Sequence, residues 1–297
     1  MSPQTLCELC ESLYFTLNLK CRSEHTRYQF RHAIEAFGEH IGHVATVDDL
    51  RDDLITVWMS ALMRRGKAAV TAREMAGRIS SLWTWLAKRG VVKTFPTFSK
   101  PQVPDTMPTA LNENQIRSLF RSASKERGEI AGIPADVWWT SFLAFVWTTA
   151  ERKSAVLAVK VSWIDFGTRT CTIPPDVRKG GKKWACYRLW PETMVLLSSC
   201  LESKPNREQM WPIDFCHESY YTRYDRILKD AGIPVSRRTK THALRCSHAT
   251  WLSVMGGDPT KQLGHSDPGT TRKFYFDPRF TDKDQPKLFI PWRPDAG

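Results

Sequence analysis

The sequence predicts a mainly α chain of the α+β class: a helical N-terminal domain over residues 1–98, a linker over 99–110, and a helical C-terminal domain over 111–297 with a small antiparallel β-sheet. Three observations lead there. Apolar residues recur at three- and four-residue spacing along most of the chain, the period of an amphipathic helix. Pro96, Pro101, Pro104 and Pro108 interrupt that pattern once. Two short alternating stretches, rich in β-branched and aromatic residues, flank a single basic, glycine-centred turn. A length of 297 residues also fits two domains at about 150 residues each.

Ser23 opens the first long helical segment, in which Phe30, Ile34, Phe37 and Ile41 share a face. Thr46 starts a second, running through Asp48, Asp49, Leu50, Leu54, Trp58, Ala61 and Leu62 to Gly66. Thr71 and Glu74 match a capping box, each side chain answering a free backbone N–H. That helix continues through Met75, Ile79, Leu82 and Leu86 to Gly90, a C′ glycine. Phe95 to Ala110 is an extended linker, because four prolines forbid both a helix interior and a central strand. Asn112 and Gln115 repeat the capping signal. Val137 to Ala158 is strongly apolar, as two packed helices or one with a break. Thr168 to Pro174 and Trp184 to Trp190 alternate as strands, joined by Arg178-Lys179-Gly180-Gly181-Lys182-Lys183 into a hairpin. The remainder reads helical, punctuated by Gly232-Ile233-Pro234 and Gly256-Gly257-Asp258-Pro259.

Lys and Arg total 43 against 31 Asp and Glu, a formal charge of +12. Such a surplus favours a polyanionic partner, either nucleic acid or an acidic membrane surface. The longest uncharged stretch, Val137 to Ala150, has 14 residues, short of the roughly 18 to 20 that a spanning helix needs. Glu8 and Glu11 interrupt the apolar run a signal peptide requires. Eight cysteines in so long a chain are no disulfide scaffold and read as reduced thiols, so a cytoplasmic protein is expected.

Between Arg64 and Lys100, nine basic residues stand against one acid, Glu74, a balance of +8 over 37 residues. A solvated helix face gathers charge for solubility alone, but a duplex with one phosphate per roughly 1.7 Å of axis fits this density better. Arg64, Arg65, Lys67, Arg73, Arg78, Lys88 and Arg89 are therefore the expected DNA contacts of the first domain, with Lys182 and Lys183 in the second. Trp83 and Trp85, beside the basic helix, are candidates to touch DNA sugars. Cys7, Cys10, Cys21 and His25 have a spacing loosely like a zinc knuckle. Leu6, Cys7, Cys10, Leu13 and Leu17 equally make an apolar helical stripe, and no metal site is expected.

Five features of the second domain carry groups suited to a phosphate. Arg152 ends Thr149-Ala150-Glu151-Arg152, after the apolar helix. Lys179 lies on the hairpin, and His242 and Arg245, three apart, share a helix face. His265 lies in Leu263-Gly264-His265-Ser266, and Tyr275 follows. Singly each has a bland reading: an arginine at a helix end is usually a surface ion pair, and His-x-x-Arg arises by chance. His248, one turn past Arg245, reads as packed rather than catalytic. The order and spacing of all five carry the weight.

That ordered set resembles the tyrosine recombinases, or phage integrases, over about Leu111 to Arg279. The preceding basic helices and proline linker look like that family's core-binding domain and interdomain connector. Three features depart from the pattern. Ala150-Glu151 stands where Gly-Leu usually precedes the first arginine. The nucleophile usually lies nine residues after the second histidine, which here is Phe274; Tyr275 lies ten after. The link from Met255 to His265 is about one helical turn shorter than usual. Compact-link integrases with a Tyr-Tyr-x-Asp-Pro ending are similar to Phe274-Tyr275-Phe276-Asp277-Pro278.

The resemblance implies a two-domain clamp on duplex DNA that cuts and rejoins strands through a 3′-phosphotyrosine on Tyr275. In it Arg152 and Arg245 fork the non-bridging oxygens, His265 bonds the same oxygens, and His242 takes the tyrosine proton. Lys179, with Lys182 as the alternative, returns a proton to the leaving 5′-oxygen. No cofactor, metal or ATP is implied. The family pattern also implies a monomer when free and a homotetramer on paired DNA sites, with the apolar tail Gln285 to Trp292 packed on a neighbouring protomer. The tail folding back on its own domain is the competing expectation. Phe274 keeps open a catalytically inactive relative that only occupies or bends DNA. A type IB topoisomerase-like enzyme would use the same chemistry without pairing sites.

Overall fold

The computed structural model describes residues 4–18, 23–179 and 183–281. The chain divides between Asp105 and Thr106 into two compact units, each with its own hydrophobic core. No helix among the described residues is long and apolar enough to cross a membrane.

In the first unit, α1 (Leu6–Leu9) runs through a π-helical turn, Cys10–Tyr14, into α2 (Phe15–Leu17). α3 (Glu24–Ile41) begins at Ser23, whose side chain accepts from the Thr26 N–H, and buries Phe30, Ile34 and Phe37 on the expected face. α4 (Asp52–Arg64) starts later than Thr46 suggests. Thr46 instead caps a separate 3-10 turn, Val47–Asp49, where its N–H and hydroxyl donate to the Asp49 carboxylate at 2.8 and 2.9 Å. α5 (Ala69–Ala87) is a second correction. It begins after Ala68, so Thr71 and Glu74 lie inside the helix and form no capping box. Gly66, at φ +84°, turns the chain into the helix earlier than the capping pattern implies.

Met75, Ile79, Leu82 and Leu86 are buried with Trp58 and Phe37. Each fully buried apolar side chain contributes about 1.5–3 kcal/mol. Trp83 belongs to this core: it is 2% exposed and its Nε1 donates to the Thr94 carbonyl at 2.7 Å, so it cannot reach DNA sugars. Trp85 instead lies under the Arg89 guanidinium at 3.6 Å. Leu6, Leu9 and Cys10 are buried as a helical stripe, while Cys21 lies outside the described residues. Among the described residues no group of three His, Cys, Asp or Glu is placed to hold a metal ion.

Residues 95–111 carry no helix or strand. The Thr97 N–H donates to Asp52 at 3.0 Å and Phe98 packs on the first core, tying that end to the first unit.

The second unit opens with α6 (Glu113–Ala123), where Asn112 and Gln115 form the expected capping box. A two-residue ladder, β1 (Glu129–Ile130) with β2 (Ile133–Pro134), precedes α7 (Ala135–Thr149). α7 is buried nearly all round by Trp138, Trp139, Phe142 and Phe145, and α8 (Lys153–Leu157) follows a break. The break falls at Ala150, a non-glycine residue at φ +54°. β3 (Ile164–Asp165), β4 (Thr170–Ile173) and β5 (Ala185–Arg188) form one antiparallel sheet with Cys171 opposite Tyr187. β4 and β5 form the expected hairpin; their connection spans residues 174–184 and opens with a 3-10 turn, Pro175–Val177, while 180–182 lie outside the described residues.

Then come α9 (Pro191–Ser203), α10 (His217–Asp230), α11 (Thr241–Val254), α12 (Pro259–Leu263), α13 (Pro268–Tyr275) and α14 (Pro278–Thr281). Tyr220 and Tyr224 of α10 are buried with Trp139 and Trp211 in the main core. A separate small cluster joins Ala150, Cys246, Ala249, Leu263 and Tyr275.

Candidate active site

The site forms where the α7–α8 break, the β4–β5 loop, and helices α11 to α13 meet. Arg245, on α11, is its centre and is only 1% exposed. Its Nη1 donates to the Ala150 carbonyl, which the left-handed break turns towards it. Nη2 makes longer contacts, 3.4 Å to the Leu263 carbonyl and 3.3 Å to His265 Nε2. Its guanidinium lies 5.2 Å from the Tyr275 ring centre.

Glu151, read from sequence only as a departure beside Arg152, is fully buried here. It accepts from the Arg152 N–H at 2.8 Å, Arg178 Nε at 2.8 Å and the Tyr187 hydroxyl at 2.7 Å, and lies 3.7 Å from Arg245 Nη1. Burial alone would raise its pKa. The Arg152 and Tyr187 hydrogen bonds and the charges of Arg245 and Arg178 outweigh that, and the carboxyl is held below its usual range.

His265 follows Gly264, whose φ of +67° closes α12. Arginine is only a donor, so His265 Nε2 must accept from Arg245; the ring proton then sits on Nδ1 and is donated to the Thr271 hydroxyl at 2.8 Å. Burial, then the charges of Arg245 and Arg152, lower the His265 pKa to about 4. His242 lines a cavity with Arg152, Lys153, Tyr221 and Lys240. It keeps a solvent-exposed edge, yet crowding by the surrounding protein and the charges of Arg245, Arg152 and Lys179 lower its pKa to about 4 as well. Both rings are therefore neutral at pH 7. Lys153 sits 4.4 and 4.3 Å over the Tyr220 and Tyr221 rings, and burial lowers its pKa to about 8.

Tyr275 is 6% exposed and lies between the two histidines, with ring centres 5.4 Å from His242 and 4.9 Å from His265. Phe274 is 54% exposed. Helix register decides which of the two enters the site. Asp267 caps α13 by accepting from the Gly269 and Thr270 N–H groups, with Pro268 at the first helical position. Thr271 and Tyr275, four apart, then share the buried face, and Phe274 falls outside it.

The chain after Tyr275 is anchored twice. The Thr250 hydroxyl donates to the Tyr275 carbonyl at 3.0 Å and accepts from the Asp277 N–H at 3.1 Å. The Asp277 carboxylate, fully buried, accepts from the Ala110 N–H at 2.8 Å and pairs with Arg279. His248 is packed, as expected, its Nδ1 donating to the Trp147 carbonyl at 2.5 Å.

Arg152 lines both the His242 cavity and an adjoining cleft shared with Arg178, Lys179, Lys183 and His265. Lys179 is exposed on the β4–β5 loop beside that cleft, while Lys182 lies outside the described residues, as does the tail from residue 282 onward. In the first unit Arg64, Arg65, Lys67 and Arg73 are exposed at one end of α5, and Lys88 and Arg89 at the other. A rise of 1.5 Å per residue separates Arg73 from Lys88 by about 22 Å. Arg78 differs: it is held by Gln29 at 2.6 Å and Glu74 at 3.4 Å, with its side chain 19% exposed.

Residues 109–281 match the phage integrase family. The tyrosine recombinase XerC of Roseiflexus castenholzii is 26% identical over 144 residues, 46% of this chain; the match spans only 40% of that relative's length. Among solved structures, a lambda integrase dimer bound to a COC′ core site superposes with a TM-score of 0.71 at 16% identity, over 97% of this chain and 100% of that one. The Tn1549 transposon integrase in complex with a circular intermediate DNA gives 0.73 at 12% identity, over 91% and 95%. At such identities the structural likeness speaks for the fold alone. The family match covers more than half of the chain, and the chain belongs to the phage integrase family of tyrosine recombinases.

Proposed function

We propose that the chain is a site-specific DNA recombinase that cuts and rejoins strands through a 3′-phosphotyrosine on Tyr275. The observation that carries this reading is Tyr275 enclosed by His242, His265 and Arg245, beside the cleft that holds Arg152 and Lys179. Duplex DNA as partner is supported by the +12 charge and the exposed cations at both ends of α5. It is also supported by lambda integrase and the Tn1549 integrase, whose structures were solved with DNA bound. The lambda enzyme was also solved as a tetramer on a Holliday junction, in keeping with four protomers on paired sites.

In the cutting step the Tyr275 oxygen attacks phosphorus and its proton passes to His242, which is neutral and able to accept it. The bond from phosphorus to the 5′-oxygen breaks, and Lys179 gives that oxygen a proton. Negative charge grows on the non-bridging oxygens, where Arg152 and Arg245 supply oriented donors. The 3.3 and 3.4 Å contacts of Arg245 Nη2 are the weak ones it exchanges for phosphate. In rejoining, a 5′-hydroxyl attacks the phosphotyrosine, its proton returns to Lys179, and Tyr275 leaves with the proton held by His242. His265 serves first to orient Arg245, since its Nε2 carries no proton.

The test is a duplex site recovered by selection from a random-sequence pool, then nicked so that cleavage traps the covalent species. A protein–DNA adduct stable in denaturant is expected. Arg152→Ala or Arg245→Ala should cut its rate by about 10² to 10³, the scale for one oriented donor, and lysine should rescue little. Tight binding with no adduct would instead establish a relative that only occupies or bends DNA.

A further inference from the structure

The two oxygens of Glu151 face different parts of the site. Oε1 accepts from the Arg152 N–H at 2.8 Å and is the oxygen 3.7 Å from Arg245 Nη1. Oε2 accepts from Arg178 Nε at 2.8 Å and from the Tyr187 hydroxyl at 2.7 Å. Arg178 immediately precedes Lys179, and Tyr187 lies on β5 beyond the loop. Arg178 Nη1 also donates to the Lys183 carbonyl at 3.1 Å, drawing the two ends of the loop together. A buried carboxylate persists only when its lone pairs are met. Glu151 therefore holds the base of the Lys179 loop against Arg245 and the backbone at Arg152.

We propose that Glu151 is a positioning residue that fixes the Lys179 loop relative to Arg245, so that one carboxylate sets both the proton donor to the leaving oxygen and the clamp on the phosphate. The proposal rests on the phosphotyrosine reading above. A purely structural glutamate would affect every substrate alike. A positioning role makes a narrower demand, because only a leaving group that needs a proton should feel the loss of Lys179. The 5′-oxygen needs one; a sulfur in its place leaves as a thiolate, whose conjugate thiol has a pKa near 8.5, and does not.

The experiment uses the full chain and two nicked substrates of the selected site, one with oxygen and one with sulfur at the 5′-bridging position. Glu151→Gln should slow single-turnover adduct formation about 10²-fold on oxygen and about tenfold or less on sulfur, the scale of lost general-acid catalysis. Arg178→Leu cuts the loop side and should lose markedly more rate on oxygen than on sulfur. If Glu151→Gln does not fold, Arg178→Leu carries the test alone. Equal losses on both substrates, or an unchanged rate on oxygen, would overturn the proposal while leaving the phosphotyrosine reading intact. No adduct from the wild type on either substrate would overturn both.

Discussion

Replacing Asp277 by alanine probes how the Tyr275 segment is held. The carboxylate has two partners of unequal worth. Arg279 is 53% exposed, so its ion pair contributes at most about 1 kcal/mol. The Ala110 N–H is buried, and without its acceptor it costs about 1–3 kcal/mol. Asp277→Ala should therefore remove about 1–4 kcal/mol, and Arg279→Ala under about 1. At about 2–4 °C per kcal/mol for a unit of this size, Asp277→Ala lowers the second unit's melting temperature by roughly 2–16 °C. Thr250 bonds both the Asp277 N–H and the Tyr275 carbonyl, so the loss also loosens Tyr275. A displacement near 1 Å costs about 10² in rate. Thermal melting followed by circular dichroism, with single-turnover adduct formation on the same samples, reads both effects. Unchanged melting and an unchanged rate in Asp277→Ala would refute the reasoning, as would an Arg279→Ala shift of equal size.

Ala150→Gly should stabilise the chain by about 0.5–1 kcal/mol in denaturant titration, because relief of the left-handed backbone exceeds glycine's extra unfolded entropy; a loss would mean that the Ala150 methyl packing dominates. His242 and His265 have folded pKa values of about 4, below their ordinary 6.5. Their contribution to stability is thus complete above pH 6.5 and erodes as pH falls towards 4, where the lowered carboxyls of Glu151 and Asp277 begin to add their own loss. Cleavage at subsaturating DNA should stay flat from pH 8 to about 5 and fall as His242 takes up its proton; a midpoint near 6.5 would contradict the burial-and-charge argument. Six exposed cations around α5 predict a slope of about −5 in log K against log salt. Arg73→Ala should reduce it by about 1, and Arg78→Ala, tied to Gln29 and Glu74, should leave it unchanged.

The helices of both units were legible because Phe30, Ile34, Phe37 and their counterparts in α5 mark one face by spacing alone. Caps were less so: Asn112 and Gln115 cap as read, but Thr71 and Glu74 show the same pattern inside a helix, where the turn at Gly66 has already set the start. β3 escaped notice because two residues are too few to alternate. In the site, Arg152, His242, Arg245, His265 and Tyr275 were legible by order, and the structure gathers them around one another. Lys179 faces the same cleft from its loop. The sequence named Tyr275 but, with Phe274 at the usual position, left open whether the Tyr275 ring enters the site, because that depends on where Asp267 starts α13. Glu151, Arg178, Tyr187 and Asp277 were missed as partners because they act across 27 to 167 positions of sequence. An acid wedged between an apolar helix and an arginine, and an Asp-Pro-Arg just past the tyrosine, were the available hints.

The most direct measurement is to trim the trapped adduct with nuclease and map the nucleotide-bearing peptide by mass spectrometry. A phosphonucleotide on Tyr275, absent from Tyr275→Phe while that variant still binds DNA, is the predicted result. A nucleotide on Tyr221 or any other residue, or an adduct that persists in Tyr275→Phe, would contradict it.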